Sequence, residues 1–428
     1  MRVYRQPLLI SLMLLGLSSA AQAVDNGCPG EAVQLSEIRF RGNQTTRPRV
    51  LLREMRSAAG AITDAQTLRA DAERIRDLGL FRHVEVRCVL DTSGWVAEFD
   101  MREKYYLLIA PRSDANSDGD YSYGLHLSWH NALGLNHTIR GTVLQRRTTQ
   151  SGRGDALEYR IAHHAPYVFG SRYDLSWSMA HEIAELSPAG GSSTYEQVDN
   201  QLRIGVDRHL GHGPASQGWR IGAAYTYRQR QALEQGPDLG TAHALSLGLK
   251  YRQRHNFLFS ETGLEAQLEG GHASTALGSD YTWSYLNGTL SYDRPLGRTA
   301  HQTLGLQLET QLQFGGPDDG LNQYSLGGAS LLRGYPRNIA EGDAYALLRL
   351  EAYRPLHWQW LRWGGFVEAG AAWGGDEAHT PGLLASAGLG LQIRPSWFVG
   401  LVIDLGFGIP LIARDTLSET PAFYGSGR

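Results

Sequence analysis

The sequence predicts an all-β transmembrane barrel of sixteen antiparallel strands, preceded by one small α+β domain. Three observations support this fold class: an N-terminal export signal, long stretches in which apolar and polar residues alternate, and the hydropathy of the remaining chain. After the signal, no run of about 18 or more apolar residues occurs, which argues against transmembrane helices. A closed barrel can still cross lipid, because its strands satisfy one another's backbone groups.

Residues 1–23 are predicted to be a secretory signal peptide. Arg2 and Arg5 precede an apolar run, and Ala21-Gln22-Ala23 has the small-residue pattern of a cleavage site. We therefore expect the mature chain to begin near Val24, outside the cytoplasm.

Two stretches near the C-terminus alternate most clearly between apolar and polar residues. One runs from Leu304 to Phe314 and the other from Val399 to Ile409. Successive side chains of a strand point to opposite faces, so each stretch predicts a strand with one apolar and one polar face. Such a strand suits a wall between lipid and water.

About fifteen or sixteen strand-like segments follow Tyr105, separated by turn-forming residues. The chain has 20 Tyr and 10 Trp, and many of them stand at segment ends, where rings lie at membrane interfaces. Because bacterial single-chain barrels have even strand numbers, we predict sixteen strands over residues 105–428. The alternative, a secreted water-soluble β-sandwich, would have shorter strands and less regular aromatic placement. Clear strand examples are Tyr121–Trp129, Tyr173–Met179, Trp219–Tyr227 and Leu245–Tyr251.

Residues 34–103 show a different pattern, with one strand, two helices and two further strands. Pro48 suits the first turn of the first helix. Thr63 with Gln66 is a candidate capping box for the second helix, which is expected to stop at Gly79. These residues predict a small soluble α+β domain ahead of the barrel.

The two cysteines, Cys28 and Cys88, both fall in this exported soluble part. An oxidising periplasm allows a disulfide between them, worth about 4 kcal/mol on chain-entropy grounds. The alternative is two unbonded thiols too far apart to bridge, and the sequence leaves both open.

Two segments of the small domain, Ile38-Arg39-Phe40-Arg41-Gly42-Asn43 and Leu78-Gly79-Leu80-Phe81, resemble those of a polypeptide-transport-associated (POTRA) domain. In the barrel region, Leu332-Arg333-Gly334-Tyr335 resembles the arginine-bearing motif of the sixth extracellular loop in one superfamily. That superfamily comprises the outer-membrane assembly factors, the surface antigens and the two-partner-secretion transporters. We place the corresponding long loop at residues 315–344.

A second barrel motif, Phe366-Val367-Glu368-Ala369-Gly370, resembles the family's Phe-x-Asp-x-Gly element. In that family the loop folds back into the lumen and its arginine pairs with the acidic residue of this strand. The resemblance implies a loop–lumen latch that pairs Arg333 with Glu368, which replaces the usual aspartate. The remaining residues assigned to the latch are Gly334, Tyr335, Glu351 and Gly370.

Strand alternation supports this latch independently of the resemblance. Val367 and Trp373 share one face of their strand, so Glu368 must point the other way, inward. A guanidinium can bind such a carboxylate through two hydrogen bonds while remaining charged. The alternative is a lumen-facing Glu368 solvated by water and a loop Arg333 in solvent, as in porins.

The resemblance implies a bacterial outer-membrane protein with its small domain in the periplasm. It implies binding of an unfolded or extended client polypeptide, followed by insertion or translocation without nucleotide, in contact with outer-membrane lipid. An edge strand of the small domain would pair with the client, and a weak seam between the first and last barrel strands would serve insertion. A periplasmic accessory protein is a further expected partner.

No enzymatic role is predicted, and no catalytic, cofactor-binding or metal-binding residues are assigned. The chain has no Gly-x-Ser-x-Gly elbow, phosphate loop or CxxC motif. With a formal net charge of -3, no nucleic-acid-binding face is evident. The alternative function is a porin-like channel or a structural surface antigen whose soluble domain only docks partners.

Overall fold

The computed structural model describes residues 27–115, 121–147, 156–186, 195–211, 214, 216–233, 239–256, 261–316, 324–328, 330–336, 339–374, 382–412 and 422–427. The predicted signal peptide, residues 1–23, lies outside these ranges. The described residues form a four-stranded sheet with two α-helices and a separate antiparallel sheet of sixteen strands. None of the helices in this described part combines the length and apolar character needed to cross a membrane.

The small domain has a sheet with the strand order β2-β1-β4-β3. Strand β1 pairs in parallel with β4, and the other neighbours are antiparallel. The two-residue strand β2 was not predicted. The elements are β1 (Val33–Arg41), α1 (Pro48–Leu52), β2 (Ile62–Thr63), α2 (Ala65–Asp77), β3 (Phe81–Asp91) and β4 (Gly94–Glu103).

Helix α2 packs its apolar face on this sheet. Leu68 and Ile75, seven residues apart and thus on one helix face, are buried in the same hydrophobic core as Phe99 of β4. The predicted N-cap of α2, Thr63, was wrong by one residue, because Thr63 belongs to β2. The N-cap is Asp64, whose carboxylate accepts a hydrogen bond from the Thr67 N–H at 2.7 Å. Aspartate caps as well as threonine does, and its position one residue later fits the helix start.

Cys28 and Cys88 are joined by a disulfide. The bond ties the segment that precedes β1 to β3, across 60 residues of sequence. It therefore closes the small domain covalently beside its hydrophobic core, which Cys28 also contacts.

The second sheet confirms the predicted number of sixteen antiparallel strands within the described residues. Each strand pairs with its neighbour in sequence, except that β15 pairs directly with β18. Strands β16 and β17 come between them in the sequence and, among the described strands, form a separate two-stranded sheet. The elements are β5 (Leu107–Ala115), β6 (Tyr121–Ala132), β7 (His137–Arg147), β8 (Ala156–Ala165), β9 (Tyr173–Leu186), β10 (Tyr195–Leu210), β11 (Gly218–Ala232), β12 (Gly240–Asn256), β13 (Glu261–Ala273), β14 (Trp283–Pro295), β15 (Thr303–Gly315), β16 (Tyr324–Leu326), β17 (Ala340–Gly342), β18 (Ala344–Pro355), β19 (Leu361–Trp373), β20 (Leu384–Ile393), β21 (Ile403–Pro410) and β22 (Ala422–Gly427).

Alternation along the strands separates an apolar outer face from a polar inner face. In β19, Val367 and Trp373 are 50% and 44% exposed, whereas Glu368 is fully buried at 0%. The alternating stretch predicted from Val399 begins as a strand only at Ile403. Val399 instead lies in the turn that precedes β21, and this turn packs against the core of the small domain.

The sixteen-stranded sheet ends at β5 on one side and at β22 on the other, and no ladder between these two strands is present in the described part of the chain. Just before β5, the Tyr105 N–H donates to the Trp397 carbonyl at 2.7 Å and the Val399 N–H donates to the Tyr105 carbonyl at 3.1 Å. These bonds attach the start of β5 to the turn that precedes β21. Strand β22 is shorter than its neighbours, with six residues.

Candidate functional site

The described residues of the long loop between β15 and β18 pack against the inner face of the barrel wall. Its residues Leu326, Leu332 and Tyr335 are 0–3% exposed and form a hydrophobic cluster with inward residues of β18, β19 and β20, such as Leu347 and Leu384. Burial of this apolar surface holds the loop inside the lumen.

Arg333, in this loop, lies between two inward carboxylates. Its backbone N–H donates to Glu368 Oε2 and its Nε donates to Glu368 Oε1, each at 2.7 Å. Its Nη2 donates to Glu351 Oε1 at 2.6 Å. The sequence-predicted residues Arg333, Glu368 and Glu351 are therefore all brought together.

A second arginine, Arg349 of β18, completes the charge balance at this site. It lies directly opposite Glu368 in the β18–β19 register, and its Nε donates to Glu368 Oε1 at 2.5 Å. Its remaining donors reach Gln307 Oε1 and the loop carbonyls of Ser330 and Leu331, at 2.9–3.1 Å. Two arginines thus face two glutamates, so the buried charges are compensated.

Two aromatic rings cover the Arg333 guanidinium. Its Cζ lies 3.7 Å from the centroid of the Phe366 ring and 5.3 Å from that of Tyr424 in β22. A planar guanidinium stacks favourably on such rings. The rings fit because the wall beside them lacks side chains: a Cβ on Gly388 would lie 2.4 Å from Phe366, and one on Gly390 would lie 2.5 Å from the Tyr424 hydroxyl.

The other predicted latch residues fix the loop backbone. Gly334 has a φ of +93°, and a Cβ there would lie 2.9 Å from the backbone carbon of Gly408 in β21. The Tyr335 hydroxyl contacts the carbonyls of Ala385 and Ile412 at 2.8 and 2.9 Å, and donates its one proton to one of them. At Gly370, a Cβ would lie 3.1 Å from the Ala346 carbonyl oxygen, so this position favours a small residue.

Sequence reasoning missed Arg349 and the two rings. The signal for Arg349 was present, since it alternates with Glu351 on one strand and so shares its inward face. The ring positions of Phe366 and Tyr424 depend on three strands meeting across the wall, which no local pattern specifies. We call the group Arg333, Arg349, Glu351 and Glu368 the latch cluster.

The small domain also contacts the periplasmic end of the barrel directly. Glu54, 1% exposed, accepts hydrogen bonds from the N–H and hydroxyl of Ser216, in the turn between β10 and β11, at 3.0 and 2.9 Å. His255 Nδ1 lies 2.8 Å from Asp77 Oδ2 at the end of α2. Burial raises the pKa of Glu54 to about 7, although the Ser216 hydrogen bonds oppose this.

No metal site accompanies these contacts in the residues that the structure describes. There, no group of three or more His, Cys, Asp or Glu side chains is placed to hold an ion. The ion pairs and hydrogen bonds of the latch cluster are suited to holding the loop in one position.

Two family models match the chain. The Omp85 superfamily domain matches residues 131–424, and the POTRA model, described as the surface antigen variable number repeat, matches residues 33–96. Comparison with curated proteins gives no match.

Among solved structures, the chain is similar to a BamA from Haemophilus ducreyi lacking POTRA domains 1-3, with 18% identity and a TM-score of 0.55 over 92% of this chain and 85% of that chain. It is also similar to CdiB from Escherichia coli, with 15% identity and a TM-score of 0.63 over 92% and 75% of the two chains. CdiB from Acinetobacter baumannii gives 15% identity and a TM-score of 0.58 over 92% and 73%. These similarities concern the fold. By its family match, the chain belongs to the Omp85 superfamily, as an outer-membrane β-barrel protein with a periplasmic POTRA domain.

Proposed function

We propose that this protein inserts polypeptides into the outer membrane or translocates them across it, without nucleotide and without catalysing a covalent reaction. Membership of the Omp85 superfamily supports a role in outer-membrane protein insertion or secretion. The observation that carries the proposal is the pair of sheet ends in the barrel. Within the described residues, β5 and β22 each have a hydrogen-bonded neighbour on one side only, and such edges can pair with another extended chain.

The POTRA domain offers the first binding position for a client. Strand β3, with 11 residues, pairs only with β4 among the described elements. Its other edge can accept an extended polypeptide by β-augmentation, in which main-chain hydrogen bonds provide the affinity. This type of binding requires little sequence specificity, which suits an unfolded client.

The latch cluster would hold β22 in a fixed position relative to the rest of the barrel. Arg333 contacts Glu368 of β19 and also the Tyr424 ring of β22, so the loop links the body of the barrel to its last strand. The loop also occupies part of the lumen, which supports an insertase or transporter over a wide porin-like channel.

Crosslinking in living cells tests this function. A photoreactive residue replaces Glu85, which is exposed on β3, and the matched control replaces Arg69, which is exposed on α2. We expect unfolded outer-membrane or secreted polypeptides to crosslink from position 85 and much less from position 69. Depletion of the protein should then lower the amounts of the same polypeptides in the outer membrane or medium.

Equal crosslinking from both positions together with an unchanged outer-membrane proteome would contradict the proposal. A large, stable conductance in planar bilayers that is unaffected by Arg333→Met would support the channel instead. These readouts separate client handling from passive permeation.

A further inference from the structure

A strongly basic pocket of about 620 Å³ lies between the POTRA domain and the periplasmic end of the barrel. The POTRA domain, the segment leading into β5 and three parts of the barrel all contribute cations to it. None of its described lining residues is an aspartate or glutamate. The basic residues are Arg76, Arg82, Lys104, Arg252, His301 and Arg394.

Two of these cations have no acidic partner among the described residues. Lys104 forms no ion pair with any described residue, and burial together with repulsion from Arg394 and Arg82 lowers its pKa to about 8. The Nε of Arg82 is buried and has no hydrogen-bond acceptor in the described part of the chain. Enclosed like charges repel, so an anion in this pocket would be bound favourably.

An apolar groove of about 450 Å³ adjoins the basic pocket. It is lined by Tyr105, Tyr106, Leu107 and Phe398, and Phe398 lines the basic pocket as well. Leu107 is the first residue of β5 and is 49% exposed on the lipid-facing side, as is Ile109 at 59%. The groove therefore continues from the pocket toward the surface that lipid covers.

Exposed tryptophans place this region at the depth of the lipid headgroups. Trp358 and Trp397 are 53% and 41% exposed, in the periplasmic turns β18–β19 and β20–β21 that also supply pocket residues. Tryptophan side chains are typical of the membrane interface. A cationic pocket at this depth, next to an apolar groove, matches an amphiphile with an anionic head.

We propose that the pocket binds the phosphate group of an anionic phospholipid from the periplasmic leaflet, with an acyl chain along the Tyr105–Phe398 groove. Lys104 and Arg82 supply positive charges that have no acidic partner among the described residues. The bound lipid would join the POTRA domain to the barrel at the start of β5. This inference does not depend on client handling.

Native mass spectrometry of the full-length protein tests the site. The purified protein is titrated in detergent with phosphatidylglycerol or, as the zwitterionic comparison, phosphatidylcholine. We expect tighter binding of phosphatidylglycerol, and a loss of about 25-fold in the Arg82→Gln/Lys104→Gln variant, at roughly fivefold per basic residue. The control variant Arg69→Gln/Arg87→Gln removes the same charge from exposed positions and should bind like the unchanged protein.

A charge-conserving variant, Arg82→Lys/Lys104→Arg, controls for misfolding caused by substitution at these positions. It should retain most of the lipid binding. Heat-modifiable migration in gels confirms that each barrel is folded. Equal lipid binding by the glutamine variant and the control would overturn the proposal. Inorganic phosphate that binds as tightly as the lipid, or no preference for phosphatidylglycerol, would assign the pocket to a free anion and also overturn it.

Discussion

Arg333 holds Glu368 with both its main chain and its side chain, through the backbone N–H to Oε2 and Nε to Oε1, each at 2.7 Å. The carboxylate therefore fixes the position of the loop backbone as well as the guanidinium. Glu368 is one methylene longer than aspartate, and its extra reach lets Oε1 accept from Arg349 too. The loop and two strands consequently share one buried carboxylate.

Replacing Arg333 with Met should loosen the loop. The change leaves Glu351 without its Arg333 partner and removes one of the two cations at Glu368, and breaking such a buried pair destabilises by about 3–5 kcal/mol. We expect faster protease cleavage between β15 and β18 and a lower temperature of barrel unfolding in gels. Arg354→Met, an exposed change in the same β18, is the control. Equal cleavage of the two variants would refute the latch.

Arg349→Lys should weaken the same loop although the charge is kept. Arg349 contacts Glu368, Gln307 and two loop carbonyls at once, and a lysine ammonium has only three donors on one nitrogen. Loss of one or two of these hydrogen bonds should cost about 1–3 kcal/mol. Hydrogen exchange at residues 330–336 measures it. If exchange in Arg349→Lys is as slow as in the unchanged protein, the positive charge at position 349 is sufficient to hold the loop, and the extra hydrogen bonds are not needed.

The latch could be predicted in part because strand alternation fixes which face a residue occupies. This alternation predicts that Glu368 points inward, and the family resemblance predicts Arg333 as its partner. Register was not predictable in the same way. Alternation with Glu351 places Arg349 on the inward face, but its pairing with Glu368 follows only once β18 and β19 are aligned.

The contacts between the POTRA domain and the barrel were beyond sequence reasoning for a different reason. Glu54 and Ser216 are separated by 162 residues, and neither belongs to a pattern that marks a contact. The turn before β21 shows the same limit, because Val399 continues an alternating pattern yet packs on the POTRA core. Tertiary packing overrides local periodicity at such positions.

Gly334→Ala should disturb the loop more than the same change at Gly382. Both glycines have positive φ values, +93° and +79°, but a Cβ at position 382 meets nothing within 4 Å, whereas one at 334 collides with the Gly408 backbone. An alanine at either position has about 1 kcal/mol of conformational strain from its positive φ. The difference in stability between the two variants therefore measures the cost of the close contact with Gly408. Barrel unfolding temperatures and protease cleavage measure it, and identical values would show that the loop can move away from Gly408.

The contact of the POTRA domain with the barrel should strengthen as the pH falls from about 7 toward 4.5. Burial raises the pKa of Glu54 to about 7 from an ordinary 4.5, so the docked state binds a proton that the undocked state releases in this window. Docking stability is therefore present at low pH and lost as the pH rises through 7, by up to about 3 kcal/mol. Arg53 and Arg220, the cations near Glu54, oppose the shift but do not cancel it.

Hydrogen exchange of α1 and of residues 216–218, corrected for intrinsic rates, follows this docking between pH 5 and 8. The comparison is made in a His255→Asn background, because His255 contacts Asp77 at the same junction. Protection should fall with rising pH when Glu54 is present and should be nearly independent of pH in Glu54→Gln. A glutamine keeps an acceptor for Ser216 without a charge, so an unchanged pH profile in that variant would remove Glu54 as the cause.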